Sequence, residues 1–171
     1  MTAAAADMPP YVEFGVQSNF SFLRGASQPE ELIVAACCLG HAGMGLADRN
    51  TVAGVVRAWS QSKHIRLAED AAPLRLAYHP GCRLVFCDGT PDVLAYPQDR
   101  AGWGHLCRLL TQANMREESE KGAPLLYLDD LLEWGGCLSL AVLPDLCGPE
   151  QETLSLLCRL KERFGGALRL A

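Results

Sequence analysis

The sequence predicts an α/β protein with a mainly parallel sheet. Three observations carry that expectation. Short apolar runs of strand length alternate with amphipathic stretches of helical period, and turn residues separate them at regular intervals. The chain of 171 residues is about the size of one domain, so the elements have to share one layered core. At 49% hydrophobic, 20% charged and 7% aromatic residues, its make-up is that of a globular chain large enough to fold without a disulfide or metal staple.

Taken in order, residues 1–10, beginning Met1-Thr2-Ala3-Ala4-Ala5-Ala6, lack the basic start and apolar core of a signal peptide and are expected to be a disordered leader. Residues 11–171 are expected to form the domain. Tyr11 to Val16 reads as a first strand and Gln17 to Ala26 as a loop. Ser27-Gln28-Pro29-Glu30 reads as a capping box that opens a helix, with Leu32, Ile33, Ala36 and Cys37 as its apolar face and Gly40 as its stop. Met44 to Ala47 is a short buried strand ending at Asp48. Thr51 can cap a second helix that turns Val52, Val55, Val56 and Trp59 inward. Lys63 to Pro73 is polar and reads as a loop.

Leu74 to Tyr78 and Arg83 to Cys87 read as two strands split by His79-Pro80-Gly81, and Asp88-Gly89 turns into another, Asp92 to Tyr96. Asp99 caps a helix from Arg100 to about Asn114, with Trp103, Leu106, Cys107 and Leu110 facing in. After the charged loop Glu117 to Gly122 come a short helix, Asp129 to Trp134, the breaker Gly135-Gly136 and a strand, Leu138 to Leu143. The last helix carries the stripe Leu154, Leu157, Leu160 and Phe164, and Gly165-Gly166 ends it before a strand opening at Leu168. That strand reads as begun and not finished, so the barrel is expected to be truncated there.

Composition excludes several classes. A net charge of −5, with no run of five like charges, argues against a free-standing nucleic-acid binder. No apolar stretch approaches the ~20 residues that a bilayer demands. The eight cysteines contain no Cys-x-x-Cys, and Cys37-Cys38 and Cys82/Cys87 are poorly spaced for zinc; they are expected to be reduced, mostly buried thiols of a cytoplasmic protein. His41, His64, His79 and His105 fall at a helix stop, in loops or beside a core stripe, and read as surface or satisfied histidines. No phosphate-loop or nucleophile-elbow motif occurs, and Ser18 and Ser21 have no nearby His base.

A family resemblance rests on four blocks in order. Ser18-Asn19-Phe20-Ser21-Phe22-Leu23-Arg24-Gly25-Ala26-Ser27, followed by Pro29-Glu30-Glu31-Leu32, resembles the opening of error-prone bacterial C-family DNA polymerases, which begin with a polymerase and histidinol phosphatase (PHP) domain. The run Gly45 to Ala58, the block Gly81-Cys82-Arg83-Leu84, and the stretch from Tyr96-Pro97 through Leu106 to Thr111 continue it. The resemblance implies a partial, distorted (β/α) barrel of the PHP type. It also implies membership of a nucleotidyltransferase that acts in DNA-damage-induced mutagenesis and translesion synthesis. Such an enzyme uses Mg²⁺, template-primer DNA and deoxynucleotides. For this chain the implied partner is the remainder of the polymerase; DNA and deoxynucleotides are reached only through the full-length protein, and other mutagenesis proteins are further candidates.

The resemblance also locates the metal-ligand positions of PHP domains, and here they are degenerate. The two histidines of the first motif fall on Gly15 and Gln17. An Asp-His pair falls on Asp48-Arg49, and a ligating Glu falls on Arg83. Glycine has no donor atom, Gln17 offers a neutral amide, and the two guanidiniums bring positive charge where cations would sit. Only Asp48 remains ligand-competent, and it is expected to accept hydrogen bonds near the Arg49-Asn50 turn or to pair with an Arg. No metal, cofactor or catalytic residue is therefore expected in this chain. Asp129-Asp130 reads as helix-start charge rather than a polymerase metal pair. The chain's own role is expected to be structural. The competing readings are a stand-alone metal-dependent phosphoesterase and an inactive adaptor domain.

Overall fold

The computed structural model describes residues 9–65, 76–120, 122–144 and 150–171. The expected leader lies outside these residues up to position 8, and so does most of the expected loop after Lys63. Six strands form one open sheet whose order follows the chain: β1 (Val12–Val16), β2 (Gly43–Arg49), β3 (Ala77–Leu84), β4 (Val93–Pro97), β5 (Leu138–Val142) and β6 (Leu168–Leu170). Among the described residues, five α-helices punctuate it: α1 (Pro29–Cys38), α2 (Val55–His64), α3 (Arg100–Asn114), α4 (Leu128–Trp134) and α5 (Glu150–Phe164). The sheet curls into half of a (β/α) barrel.

The expected parallel sheet needs one correction. β1, β2 and β3 are parallel, as are β5 and β6, but β4 is antiparallel to both β3 and β5. The cause is the link 85–92, shorter than the dozen or so residues that a parallel crossover needs. β4 therefore starts where β1, β2 and β3 end. The expected break at His79-Pro80-Gly81 is also absent, because β3 runs through it. β4 pairs only with Cys82 to Leu84, so Pro80 lies past its end, where a missing N–H costs no ladder bond. β3 stops at Leu84 rather than Cys87 because a side chain replaces the ladder. Asn50 Nδ2 donates to Val85 O at 2.9 Å, and Val85 N donates to Asn50 Oδ1 at 2.8 Å.

The helices follow local chemistry closely. In α3 the Asp99 carboxylate accepts from Gly102 N at 2.7 Å, and Leu106, Leu109, Leu110 and Ala113 are buried. α1 starts two residues past Ser27, with Gln28 N donating to Glu31 Oε2 at 2.7 Å, so the box is shifted by one position from the expected one. Thr51 does not cap α2; its hydroxyl accepts from Ala53 N and delays the helix to Val55. As a result α2 buries Val55, Ala58 and Ser62, while Val56 and Trp59 face solvent. In α5 Leu160 is buried but Leu154 is exposed.

Two apolar clusters fill the space between helices and sheet. One joins β3 to β6 with α3, α4 and α5, and the other joins α1 and α2 to β2, with Val52 and Trp103 touching both. Behind the larger one, Asp130 is buried and held by the Arg116 guanidinium at 2.6 and 3.0 Å. This gives Asp130 a structural partner, while Asp129 is exposed. The cysteines are less buried than expected: Cys82 is fully buried, whereas Cys38, Cys87, Cys137 and Cys158 are exposed, and the seven described cysteines are free thiols. No described helix is long and apolar enough to cross a membrane.

Candidate functional site at the strand ends

The parallel strands β1, β2 and β3 bring their C-terminal ends together, and the reversed β4 adds its first residues to the same place. Gln17 follows β1, Asp48 and Arg49 end β2, Arg83 lies near the end of β3, and Asp92 precedes β4. Gln17, Arg49 and Arg83 line one small opening together with Arg24, Val85 and Asp92. The degenerate ligand positions thus converge in space, except that Gly15 and Asp48 do not line the opening.

Asp48 points inward. The residue is 1% exposed, and its carboxylate accepts from Ser18 N at 2.7 Å, Ser18 Oγ at 2.7 Å and Ser21 Oγ at 2.6 Å. Ser21 Oγ in turn accepts from Arg49 N at 3.1 Å. The expected partners, the Arg49-Asn50 turn or an arginine, are replaced by two serines from the loop after β1. Asp48 acts as the peg of that loop, and Ser18 and Ser21 are wholly buried around it. The loop is tightly wound: Arg24 N and Gly25 N both donate to Ser21 O, and a Cβ on Gly25 would lie 2.2 Å from Ser18 O.

Gly15 has a backbone role. It sits at φ +80°, where the pairing of β1 with β2 shifts register, and its N–H donates to Tyr96 Oη at 2.8 Å. The Tyr96 ring lies over the sheet where a Cβ on Gly81 or Gly45 would come within 2.4 or 2.9 Å of it. Burial pushes the Tyr96 phenol up to about 12, against the opposing effect of the Gly15 N–H. Burial, and then the negative charge of Asp48, also raise the Tyr78 phenol.

Arg83 is paired: its Nε and Nη2 both reach Asp92 Oδ2 at 2.7 Å. Arg24 and Arg49, by contrast, have no side-chain hydrogen bond or ion pair among the described residues. The histidines are scattered. His105 Nδ1 meets Gly136 O at 2.8 Å, His41 packs edge-on to Tyr11 and His79 leans on Phe14. Among the described residues, no three His, Cys, Asp or Glu side chains gather as a metal would require. The donors at the strand ends do not suit a divalent cation: the one carboxylate of the motif is turned inward onto three donors, and guanidiniums face the opening.

Sequence reasoning missed Arg24, Asp92 and Tyr96. Arg24 stands inside the quoted Ser18-to-Ser27 block, but its place at the opening depends on the loop's fold. Asp92 arrives only because β4 is reversed.

Fold and strand ends together define an α/β half-barrel whose described strand ends carry guanidiniums and no cluster of metal-binding side chains. An amidohydrolase from Chromobacterium violaceum, solved with bound sulfate and no metal, has this fold, with a TM-score of 0.59 over 94% of this chain and 75% of that one at 13% identity. By sequence the chain is similar to part of the error-prone DNA polymerases. It is 68% identical to that of Mesorhizobium japonicum over 161 residues, and 52% identical to that of Sinorhizobium medicae over 161 residues. Each match covers 94% of this chain, which spans only 14% and 13% of those proteins. The error-prone DNA polymerase of Brucella abortus is 47% identical over 91% of this chain and 14% of its own length. No family model matches the chain.

Proposed function

We propose that residues 11–171 act as a non-catalytic PHP-like domain of an error-prone DNA polymerase, braced to support the polymerase core. The observation that carries this reading is the state of Asp48. The one ligand-competent side chain among the motif positions spends its lone pairs on Ser18 and Ser21, and so serves the loop rather than an ion. The similarity to error-prone polymerases supports this reading, and the context we propose with it is damage-induced mutagenesis and translesion synthesis in the cytoplasm, by a nucleotidyltransferase that uses Mg²⁺, template-primer DNA and deoxynucleotides through other parts of the protein.

Elemental analysis with a phosphatase assay tests the proposal. The purified chain is expected to hold no stoichiometric Zn or Mn, and to hydrolyse a generic phosphomonoester no faster than buffer does when Mn²⁺ is added. Two or more bound ions per chain, with phosphatase activity lost on chelation, would overturn it in favour of a metal-dependent phosphoesterase.

A further inference from the structure

We propose that the opening at the strand ends is a metal-free binding site for a single phosphate group, gripped by Arg24 and Arg49 with the Gln17 amide beside them. The proposal rests on the reading above that these strand ends hold no metal, and it gives the altered positions a ligand of their own.

Four observations carry it. First, charge is concentrated there. In a chain of net charge −5, three guanidiniums face one opening, and the Asp92 carboxylate that lines it is engaged by Arg83. Arg24 and Arg49 are left without an anionic partner among the described residues. Second, the chemistry of the lining suits a tetrahedral oxyanion. A guanidinium presents parallel N–H groups that match two phosphate oxygens, and an amide adds a further donor.

Third, the size selects the ligand. The cavity holds about 180 Å³, below the roughly 300 Å³ at which pockets begin to enclose larger organic molecules. A phosphate group fits, while a base and sugar stay outside. Fourth, the grip is prepared in advance. Arg49 follows the buried Asp48 directly, and its backbone N–H is tied to Ser21. Arg24 rides on the loop that Asp48 pegs down, just after Leu23 at φ +60°. A left-handed leucine that is 88% exposed gains nothing from its own packing there, and the chain accepts this unfavourable geometry where it sets the direction of Arg24. Arg83, fixed by Asp92, forms the wall and adds its field without having to move.

The same phosphate chemistry comes from two sources: a free ion, such as phosphate or pyrophosphate, or the terminal phosphate of a nucleic-acid strand. Calorimetric titration of the 171-residue chain in EDTA at fixed ionic strength distinguishes them. The probes are inorganic phosphate, pyrophosphate, and one single-stranded oligonucleotide with and without a 5′-phosphate. Saturable one-to-one binding of at least one phosphate probe is expected. R24Q and R49Q should each weaken it at least tenfold while keeping the parent's thermal melt, since both side chains are at the surface, and K63Q on α2 should leave it unchanged. A tenfold preference for the phosphorylated oligonucleotide assigns the strand end, and tight pyrophosphate with equal, weak binding of both oligonucleotides assigns the free ion. Absence of saturable binding, or binding that R24Q and R49Q leave intact, overturns the proposal and leaves the metal-free reading standing. Binding that appears only after Mn²⁺ or Zn²⁺ is added overturns both.

Discussion

Replacing Asp48 with asparagine changes one oxygen of the carboxylate to an amino group at nearly constant volume, and the structure sets the cost. Oδ1 accepts from Ser18 N and Ser21 Oγ, and Oδ2 accepts from Ser18 Oγ. An asparagine keeps at most the first two bonds, now with a neutral acceptor, and turns an N–H group toward the Ser18 hydroxyl. Bonds to a charged partner contribute about 1.5–3 kcal/mol each and neutral ones about 0.5–1.5, and the lower cost of burying a neutral amide than a carboxylate offsets part of the loss, so the net exchange should cost about 2–3 kcal/mol. For a chain of this length each kcal/mol lowers the melting temperature by about 2–4 °C, giving a drop of about 4–12 °C for Asp48→Asn. Urea unfolding should show a lower midpoint at unchanged slope, and amide exchange should quicken first over residues 18–27. If Asp48 were kept for a cation, removing its charge would relieve an unneutralised carboxylate. An Asp48→Asn protein as stable as its parent, or more stable, would therefore refute the peg.

Three further outcomes follow from the same geometry. Gly81→Ala should destabilise by about 2–3 kcal/mol through overpacking, and in a urea double-mutant cycle the part due to the Tyr96 ring should vanish in a Tyr96→Leu background while the part due to Ala95 O, 2.9 Å from the added Cβ, stays; an equal cost in both backgrounds would clear the Tyr96 ring of blame. Burial alone would raise the Asp88 carboxyl, but bonds from the Leu128 N–H and from Thr90 outweigh it and hold it below the ordinary carboxylate range. Its stabilising effect is then complete above the unfolded value of about 3.9 and disappears as pH falls through the lower folded value, so Asp88→Asn should lower stability at neutral pH and flatten the loss below about pH 4, as read from unfolding midpoints across pH. Burial pushes the Cys82 thiol up to about 12, so alkylation followed by peptide mapping should label Cys38, Cys87, Cys137 and Cys158 in the native protein and spare Cys82 until denaturant is added.

Legibility in the sequence depended on how many local signals agreed. α3 was plain because the Asp99 cap, the apolar spacing and a polar end coincide within one stretch. β3 was misread as two pieces because Pro-Gly is a strong local breaker; its tolerance comes from a neighbour, the short β4, that no local window contains. The direction of β4 was carried by the length of the link 85–92 and not by any pattern of apolar residues. At the strand ends, motif alignment located Gln17, Asp48, Arg49 and Arg83, because strand termini follow directly from strand positions. It did not locate Arg24, whose direction is set by Ser18, Ser21 and a left-handed Leu23. Tyr96 escaped for a related reason: the glycines that admit its ring lie on two other strands, β2 and β3, and the N–H that meets its hydroxyl lies on a third.

The order of strands in space repeats their order along the chain. On the ribosome this means that every strand, as it emerges, meets the previous one as the current rim of the sheet, with no later segment needed to complete the pair. No strand has to be threaded between two that have already joined. Synthesis runs at about 5–20 residues per second, so successive strand-and-helix units appear seconds apart, far slower than the microseconds in which helices and hairpins form. The sheet can therefore grow by accretion in step with translation, each new strand covering the rim left by the one before.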